Sequence, residues 1–437
     1  MPALTTGAYP GISPRLLVPE PGRESRGDYE RRGGYRPGLR GQDLIDAVQA
    51  VGLRGRGGAA FPSGRKLAVV AAEPGGADGR GRVVVVNGEE GEPTSVKDRW
   101  LLRARPHLVI DGALRAASAV GAATVYVYVS DAVAAGSVRA ALAELDGQGG
   151  VGGGPVQIDV WQVEPSYVAG EETAAVNAIN GRPAKPSEKP PRPYEEGVGG
   201  LPTLVSNAET FANLPGIAAG STQAADTFLL TLGGAVPRPG LYEVPFGVTI
   251  GEAVRVLGGG QNDGQDGGAT GYLMGGYFAG LLNARGHELP LDYDALKVER
   301  SGLGCGAVTV LGPDDCPVGV TARLLAYFAR ENAGQCGSCF NGTAAMSGVA
   351  AALAGGFAGD ADIRRLRSWC SSLPGRGACG TLDGAVNIAV SMLREFPEAV
   401  DAHLRERCQR CAGTDFSALT SPFAAILDAA VAAEAVL

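Results

Sequence analysis

Three apolar, β-branched runs separated by alanine-rich stretches constrain the fold of this chain more than any other feature. Residues 83–86 (VVVV), 124–129 (TVYVYV) and 156–163 (VQIDVWQV) have the length and composition of β-strands. Helical stretches such as LVIDGALRAASAVGA lie between them. Strands that alternate with helices predict an α/β domain with a mostly parallel sheet.

Polar segments follow two of these strands, and ligands bind beyond the carboxyl ends of strands in open parallel sheets. NGEEGEP (87–93) follows the first strand, and YVAGEE (167–172) follows the third. The first segment holds an amide and three carboxylates: Asn87, Glu89, Glu90 and Glu92. They could bind ribose hydroxyls, bind a divalent metal, or merely be solvated. Glu171 and Glu172 lie at a predicted helix start, where they could simply complement the helix dipole.

A glycine-rich loop, GLRGRGGAAFPSGRKL (52–67), follows a predicted helix. Its glycines would let backbone N–H groups approach phosphate oxygens, with Arg54, Arg56 and Lys66 as cationic anion ligands. Phe61 could stack on a planar ring. The spacing matches neither a Walker nor a Rossmann motif, and the chain has 68 glycines, so an ordinary surface turn stays equally open.

All eight cysteines lie in the last third of the chain, which favours a metal or redox centre over a disulfide framework. QCGSC, with Cys336 and Cys339, could belong to an iron-sulfur site, a zinc knuckle or a redox dithiol, and Cys379 is within reach in a helical bundle. Three cysteines are interpreted as buried and unliganded: Cys305, Cys316 and Cys370. A second C-x-x-C, at Cys408 and Cys411, is interpreted as having no histidine nearby, and its role stays open.

Composition narrows the function classes. The chain carries 46 acidic and 38 basic residues, a net charge of -8, which does not favour nucleic acid as a partner. No apolar run reaches the roughly 18 residues of a bilayer span, and the first residues lack a secretion-signal pattern. We therefore expect a cytoplasmic protein without a membrane span.

Taken in order, these segments resemble the NADH-binding flavoprotein subunit of respiratory complex I and its relatives in NAD-reducing hydrogenases and formate dehydrogenases. LRGRGGAAF resembles the family's LRGRGGAGF, NGEEGEPTSVKDR its NADEGEPGTxKDR, and YVAGEETA its YxxGEETA. LPTLVSNAET resembles PTxxNNVET, LPLDYDAL resembles DLPLDYxSL, and ENAGQCGSCFNGT resembles the cluster motif ESCGQCxPCREGT. The resemblance covers about residues 42–400.

The resemblance implies an α/β fold with three domains. A Rossmann-like parallel-sheet domain for flavin and dinucleotide is expected at 41–222, a small β-grasp domain of the soluble-ligand-binding type at 223–300, and an iron-sulfur helical bundle at 301–405. An N-terminal extended segment (1–40) and a C-terminal tail (406–437) flank them.

The resemblance also implies the site residues. Binding of FMN and NADH is expected at Gly55, Arg56, Gly57, Gly58, Phe61, Gly64, Lys66, Asn87, Glu89, Tyr167, Gly170, Glu171, Asn207 and Thr210. Glu92 and Glu172 are the candidate catalytic residues, and they act by positioning because hydride transfer between cofactors needs no side-chain acid or base. Cys336, Cys339 and Cys379 are expected to bind a [4Fe-4S] cluster.

Three departures from the family's pattern concern the flavin loop and the residues that flank the dinucleotide. Ala60 replaces a glycine of the loop, and Val69 and Arg192 replace aromatics that flank the ligand. Arg192 could stack on adenine or meet a 2′-phosphate, so the choice between NADH and NADPH stays open. Glu172 stands where the family's carboxylate disfavours that phosphate, and it favours NADH.

A fourth departure concerns the cluster. Ala333 replaces the first cysteine of the cluster motif, so one thiolate is missing. Cys370, Cys408, Cys411 or an exogenous ligand could supply it, or the cluster could be altered or lost. The three matched cysteines favour a retained cluster.

The expected function is that of an NADH dehydrogenase flavoprotein. Hydride would pass from NADH to FMN, and single electrons would leave through the cluster to a small iron-sulfur, ferredoxin-like or quinone-reducing partner, peripheral to a membrane complex. Two alternatives stay open: an FMN diaphorase without a cluster, and a non-catalytic scaffold or sensor that binds dinucleotide. A plain zinc protein ranks last because it leaves the N-terminal motifs unexplained.

Overall fold

A computed structural model of the chain describes residues 4–18, 22–74, 81–146, 156–260 and 268–414. The strands are β1 (Thr5–Ala8), β2 (Arg82–Asn87), β3 (Ala122–Val129), β4 (Gln157–Gln162), β5 (Thr203–Asn207), β6 (Thr227–Gly234), β7 (Gly240–Pro245), β8 (Gly271–Met274), β9 (Leu281–Asn283) and β10 (Ala307–Leu311). The first ten helices are α1 (Arg26–Arg31), α2 (Gly41–Ala50), α3 (Ser63–Ala72), α4 (Lys97–Ala104), α5 (Pro106–Val120), α6 (Ala132–Asp146), α7 (Glu172–Ile179), α8 (Ala208–Ala218), α9 (Ile250–Val256) and α10 (Tyr293–Val298). The others are α11 (Pro317–Glu331), α12 (Gly337–Ala354), α13 (Asp360–Ser372), α14 (Thr381–Glu395) and α15 (Pro397–Arg405).

The first sheet has the strand order β4-β3-β2-β5, and all its neighbouring strands are parallel. Alternate residues of β2 enter two different cores: Val84 and Val86 pack with residues of α5 and α8, whereas Val83 and Val85 pack with residues of α7. Because both faces are covered, the strands are continuous apolar runs. The predicted α/β domain with a parallel sheet is confirmed.

The winding of this sheet reverses between β2 and β5. The chain places β3 and then β4 on one side of β2, and returns to place β5 on the other side. Ligands of open α/β sheets bind at the carboxyl edge where the strand order reverses. Asn87 ends β2, Asn207 ends β5, and the two residues are register partners. The fold therefore sets two predicted site residues side by side at the switch point.

The second sheet is larger than the sequence predicts. Its order is β1-β7-β6-β10-β8-β9, it mixes parallel and antiparallel pairs, and α9 packs into its core. Strand β1 comes from the N-terminal segment, and β10 comes from beyond residue 300. The predicted boundaries of the 223–300 domain therefore divide a sheet that the structure keeps whole.

The N-terminal segment is folded onto both sheets. After β1, Leu16, Leu17 and Val18 enter the core of the first domain. The backbone N–H groups of Arg15 and Leu16 each donate to the buried Glu243 carboxylate of β7 at 2.8 Å. A carboxylate bonded by several backbone N–H groups is a strong charge-assisted contact, so this segment joins the two sheets.

Five helices, α11 to α15, form the predicted C-terminal bundle. The apolar face of α11 packs into the bundle core, where Val320, Leu324 and Phe328 are buried. Among the described residues, no helix is both long and apolar enough to cross a membrane. Part of the predicted tail, 415–437, lies outside the described residues.

Candidate functional site

Motifs that lie far apart in the sequence meet at the switch point. The Asn87 side chain donates from Nδ2 to the Gly170 carbonyl at 2.7 Å. A Cβ added to Gly57 would lie 3.5 Å from the Asn207 Cβ, and one added to Gly170 would lie 3.0 Å from Glu89 Oε2. The glycine-rich loop, the ends of β2 and β5, and the YVAGEE segment therefore line one site, in which glycine lets the backbone approach closely.

The glycine-rich loop is a closed turn before α3. Arg54 and Pro62 form a β-bridge, and the Gly55 N–H donates to the Phe61 carbonyl at 2.9 Å. Gly58 has a φ of 113°, and no described heavy atom lies within 4 Å of the place that its Cβ would take. The loop thus has an open backbone face for a phosphate group. Phe61 projects from it, 45% exposed, as a stacking surface.

Gly64 has a packing role. A Cβ at this position would lie 2.5 Å from Cγ and 2.8 Å from the backbone nitrogen of Gln49. The absence of a side chain therefore lets α3 approach α2 closely, which fixes the direction in which the loop enters α3.

The arginine side chains of the loop, which were expected to bind an anion, contact protein groups in the structure. Arg54 forms a two-bond ion pair with Asp294, at 2.9 and 2.7 Å. The Arg56 side chain is 2% exposed and donates from Nη2 to the carbonyls of Ala225 and Thr227 at 3.1 and 3.0 Å. Both guanidinium groups therefore bind groups of the protein itself, and these contacts hold the loop against the domain of the second sheet.

A buried ion network below the loop was missed by the sequence reasoning. Lys97 Nζ lies 2.6 Å from Asp98 Oδ2 and 3.0 Å from Glu209 Oε2, and the Lys97 and Glu209 side chains are each 1% exposed. Although burial opposes it, Asp98 and Glu209 raise the pKa of Lys97 above its ordinary value. The backbone N–H of Leu229 donates to Glu209 Oε1 at 2.9 Å. Both segments, SVKDR and SNAET, stood in the motifs, but nothing in them showed that the charges pair.

Asp98 connects this network to the switch point. Its carboxylate accepts the Asn207 Nδ2 group at 3.0 and 2.9 Å. Asn207 in turn caps α8 and is hydrogen bonded to the Thr210 hydroxyl, which accepts the Arg56 N–H at 2.9 Å. Asn207 and Thr210 therefore position the loop from below, in addition to the ligand contact predicted for them.

Two predicted carboxyl groups are held in unusual surroundings. Burial raises the pKa of Glu89 to about 7, and neither of its carboxyl oxygens has a well-formed hydrogen bond among the described residues. Burial also raises the pKa of Glu92 to about 7. A buried polar atom without a partner is costly, and a ligand with hydroxyl or N–H donors would satisfy it. The residues present therefore fit a flavin or ribose at this place.

Glu92 reaches across to the second sheet. Its Oε1 accepts the Thr94 hydroxyl at 3.2 Å. A Cβ at Gly276 would lie 2.2 Å from the Glu92 Cδ, and Gly276 has a φ of 77°. Only glycine fits this turn, for both reasons.

The raised pKa of Glu92 predicts a loss of stability as pH rises. Between about pH 4.5 and pH 7 the folded protein holds a proton on Glu92 that the unfolded chain has released, so the free energy of unfolding falls, by up to about 3 kcal/mol. Glu92→Gln removes this contribution. Urea unfolding should show wild type losing stability relative to Glu92→Gln from pH 4.5 to 8, and a constant difference would contradict the raised pKa.

The two glutamates of the YVAGEE segment have separate contacts. Glu171 caps α7 by accepting the Thr173 N–H at 2.7 Å, and it pairs with Lys189 at 2.6 Å. Glu172 pairs with Lys66 at 3.2 Å and with Lys189 at 3.3 Å. Although burial opposes it, Lys66 and Lys189 hold the pKa of Glu172 below its ordinary value. The structure thus brings the predicted Lys66 and Glu172 together and adds Lys189.

Ala60 occupies a left-handed backbone conformation, with a φ of 51°. This conformation costs an L-residue roughly 1–2 kcal/mol, and glycine avoids that cost. Glycine also makes the unfolded chain more flexible, which offsets roughly half of the gain in stability. We expect Ala60→Gly to raise the free energy of unfolding by about 0.5–1 kcal/mol, measured by urea unfolding. Ala59→Gly is the control: its φ is not left-handed, so it should lower stability. Destabilisation by both changes would contradict the strain at Ala60.

The loop after α7 connects the dinucleotide side of the site to the cysteine bundle. Lys189 pairs with Glu171 and Glu172, and Lys185 Nζ donates to the Ala333 carbonyl at 2.8 Å. The predicted flavin residue Tyr167 also contacts the bundle, with its ring 5.4 Å from that of Phe328 in edge-on geometry. The two predicted sites are therefore neighbours.

The three predicted cluster cysteines come together. Cys336, Cys339 and Cys379 line a narrow cavity with Ala333 and Pro186. Burial and then the adjacent thiols of Cys379 and Cys336 raise the pKa of Cys339 to about 11. Three sulfur ligands around one cavity fit an iron-sulfur cluster. The methyl group of Ala333 offers no fourth ligand.

The interpretation that Cys408 and Cys411 have no histidine nearby was wrong, whereas Cys316 is buried as expected. Cys316 is not isolated, and Cys408 and Cys411 do have a histidine nearby: the four ligand atoms of Cys316, His403, Cys408 and Cys411 all lie within 4.8 Å of one another. Cys408 and Cys411 are thereby engaged with Cys316 and do not line the cavity of Cys336. Cys370 does not line that cavity either, so none of the three candidate cysteines borders the cavity that Ala333 lines.

An open cavity of about 530 Å³ extends the site along the carboxyl edge beyond β3 and β4. Ser130, Trp161, Gln162 and Arg182 are among its lining residues. None of them was predicted, because their segments carry no recognisable motif.

Two family models match the chain. The Nuo51 FMN-binding domain matches residues 48–216, which contain the switch-point site. The NADH-ubiquinone oxidoreductase-F iron-sulfur binding region matches residues 319–403, which contain the three cluster cysteines.

Similar proteins extend over most of the chain. The second F subunit of NADH-quinone oxidoreductase in Rhizobium meliloti is 31% identical over 406 residues, 88% of this chain and 94% of the relative. The F subunit of NADH-quinone oxidoreductase in Escherichia coli is 32% identical over 403 residues, 87% and 89% of the two chains. A solved NAD⁺-reducing [NiFe]-hydrogenase in the H₂-reduced state is similar with a TM-score of 0.74 and 27% identity. That match covers 84% of this chain but only 63% of the hydrogenase chain, so this chain spans less than two thirds of its length.

Proposed function

The chain belongs to the family of NADH-quinone oxidoreductase F subunits, and from this premise we propose how its residues serve as the electron-input flavoprotein of an NADH dehydrogenase. Bound FMN would supply a ring that accepts hydride from NADH, and a bound cluster would supply one-electron transfer. The chain's own contribution is to hold the two ligands, to orient them and to exclude water.

The glycine-rich loop and the start of α3 are proposed to hold the phosphate groups. Gly57 and Gly58 are proposed to offer backbone N–H groups to a phosphate, and Lys66 adds a positive charge close by. Gly55 closes the turn, because its N–H donates to the Phe61 carbonyl. Arg56 is proposed to support the loop without contacting the ligand, because its buried guanidinium donates to carbonyl groups of the protein. Phe61 is proposed to stack on a ring of the dinucleotide.

The carboxyl groups are proposed to position donors of the ligands. Glu89 has two buried oxygens without well-formed hydrogen bonds among the described residues, and Asn87 is held beside it by the Gly170 carbonyl. Glu92 and Glu172 are proposed to orient the nicotinamide side, with Glu172 ionised between Lys66 and Lys189. No proton has to be transferred by these groups during hydride transfer, so their role is orientation.

The observation that carries the proposal is the meeting of four sequence-distant motifs at the switch point, directly beside the cysteine bundle. Two contacts connect the switch-point site to the bundle: Lys185 donates to the Ala333 carbonyl, and the Tyr167 ring packs on that of Phe328. A one-electron relay must lie close to its donor, and this arrangement supplies that proximity.

We also propose a small iron-sulfur or ferredoxin-like protein as the acceptor, and work at the cytoplasmic face of a membrane complex. Support comes from the relatives, which are named as subunits of quinone oxidoreductases. The absent fourth thiol at Ala333 favours one second candidate, an FMN diaphorase that passes electrons directly to a quinone or dye.

Anaerobic titration of the purified, FMN-loaded protein with NADH tests the proposed function. Loss of the oxidised-flavin absorbance at about one NADH per flavin is expected, plus further NADH consumption for the cluster. Flavin that binds but is not reduced by NADH or NADPH would favour a dinucleotide-binding scaffold instead.

At pH 8, where the Glu92 carboxyl with its pKa of about 7 is mostly ionised, Glu92→Gln is expected to raise the KM for NADH at least about tenfold, because a hydrogen bond to a charged group is worth about 1.5–3 kcal/mol. Flavin content should stay near that of wild type. Steady-state kinetics with a dye acceptor measure the first effect, and absorbance measures the second.

Glu90→Gln is the matched control for this change. Glu90 lies in the same segment but accepts the Ser95 hydroxyl at 2.6 Å and the Arg99 N–H at 3.0 Å, so it stabilises the start of α4. The Glu90→Gln variant should therefore have the same KM for NADH as wild type. An unchanged KM for Glu92→Gln as well would remove Glu92 from the dinucleotide site.

A further inference from the structure

A second group of metal-type ligands lies at the start of the bundle, beside the turn between β10 and α11. Cys316 precedes α11, His403 lies in the last turn of α15, and Cys408 and Cys411 follow that helix. Cys316, His403 and Cys411 are buried, and Cys408 is half-buried. Cys316, Cys408 and Cys411 lie outside the residues that the iron-sulfur family model matches.

The spacing of the four ligand atoms suits a single tetrahedral ion. His403 Nε2 lies 3.4 Å from the Cys316 sulfur and 3.5 Å from the Cys411 sulfur, and the sulfurs of Cys316 and Cys408 are 3.9 Å apart. Bond lengths of about 2.3 Å to sulfur and about 2.0–2.1 Å to nitrogen give tetrahedral edges of about 3.8 Å and about 3.6 Å. An iron-sulfur cubane gives each thiolate its own iron and would hold the sulfurs further apart.

The histidine is oriented as a metal ligand. His403 Nδ1 lies 2.7 Å from the Ala399 carbonyl, and a carbonyl oxygen can only accept, so Nδ1 carries the proton. Nε2 is the ring nitrogen that faces the sulfurs, and in the neutral ring it carries the lone pair that can bind a metal. A backbone carbonyl that fixes the free ring nitrogen is the usual support of a metal-binding histidine.

We propose that Cys316, His403, Cys408 and Cys411 bind one zinc ion. A set of three thiolates and one imidazole in tetrahedral arrangement selects zinc among the divalent metals. Binding releases the protons of the three thiols, and no oxidation is involved. All four positions are filled by protein, which makes the site structural rather than catalytic.

The site joins segments that are distant in the sequence. His403 and Cys316 are 87 positions apart. Arg410 strengthens the same junction by donating to the carbonyls of Pro313 and Asp315, each at 3.1 Å. Zinc would fasten the chain after α15 onto the turn between β10 and α11, and so fix the bundle relative to the second sheet.

Metal analysis of the full-length protein tests the proposal. Protein purified without oxygen and without chelators should hold one zinc per chain, in addition to any iron. Growth in zinc-poor medium with Co²⁺ should give protein with the intense visible absorption of tetrahedral cobalt bound to thiolate. Absence of zinc together with absence of the cobalt spectrum would overturn the proposal, as would iron found at this site.

Variants locate the ion and separate it from the cluster. His403→Ala should lose zinc, whereas His403→Cys keeps four ligands and should retain it, which controls for misfolding. Cys370→Ser changes another buried cysteine of the bundle and should also retain zinc. Cys339→Ser should lose iron but not zinc. Equal zinc in wild type and His403→Ala would overturn the assignment, whatever the outcome for NADH oxidation.

Discussion

Lys97→Met is expected to lower the free energy of unfolding by about 3–5 kcal/mol, because it leaves buried carboxylates without their cation. Lys97 is the contact shared by Asp98 and Glu209, at 2.6 and 3.0 Å, and its side chain is 1% exposed. Arg56 Nε lies further from Glu209, at 3.7 Å, and does not replace it. Urea or thermal unfolding of the purified protein measures the loss.

Two further variants show whether the loss comes from the ion pair. Lys297→Met changes an exposed lysine on α10 and should alter stability by less than about 0.5 kcal/mol. Lys97→Met combined with Glu209→Gln removes both charges of one pair and should recover part of the loss, as a double-mutant cycle. A double variant no more stable than the sum of the two single losses would contradict the pairing.

The same change should loosen the candidate flavin site. Asp98 also holds Asn207, and Asn207 supports the loop through Thr210 and Arg56. We therefore expect Lys97→Met to be purified with less FMN than wild type. The buried charges therefore support the loop through Asn207, Thr210 and Arg56.

Cys339→Ser is expected to remove the cluster iron and to abolish electron transfer to an iron-sulfur acceptor. NADH oxidation should continue with a dye that accepts electrons directly from the flavin. Cys339 is one of three sulfur ligands around the cavity, and the position of the fourth is already Ala333. A site with only two thiolates left should not retain a cluster. Iron analysis and parallel assays with the two acceptors measure the effect.

Cys370→Ser is the matched control, since Cys370 is another buried cysteine of the bundle that does not line the cavity. It should keep both activities and the iron. Loss of the dye reaction in Cys339→Ser, with the fold intact, would show that the bundle supports the flavin site structurally instead of relaying its electrons.

Local patterns predicted the elements whose own residues carry a clear apolar pattern. The three apolar runs became β2, β3 and β4. Strand β1 could not be predicted in this way, because TTGA has no apolar pattern and Thr5 pairs with Gly240. The second sheet draws on residues from three parts of the chain, which a linear domain division separates.

The site was predicted where its residues belong to motifs and missed where it depends on charge pairing across the fold. Lys66 and Glu172 were named separately, and the structure shows that they pair. The burial of Arg56 could not be predicted, because it follows from contacts with residues of the second sheet. His403 stands five positions before Cys408, but its importance appears only when Cys316 is brought to both of them.

Low-temperature electron paramagnetic resonance of protein purified without oxygen and reduced by NADH shows whether electrons from the flavin reach a cluster in the bundle. We expect a fast-relaxing iron-sulfur signal that is present in wild type and Cys370→Ser and absent in Cys339→Ser. Protein that oxidises NADH through its flavin but shows no iron-sulfur signal would contradict the electron relay, and would identify the chain as a cluster-less FMN diaphorase.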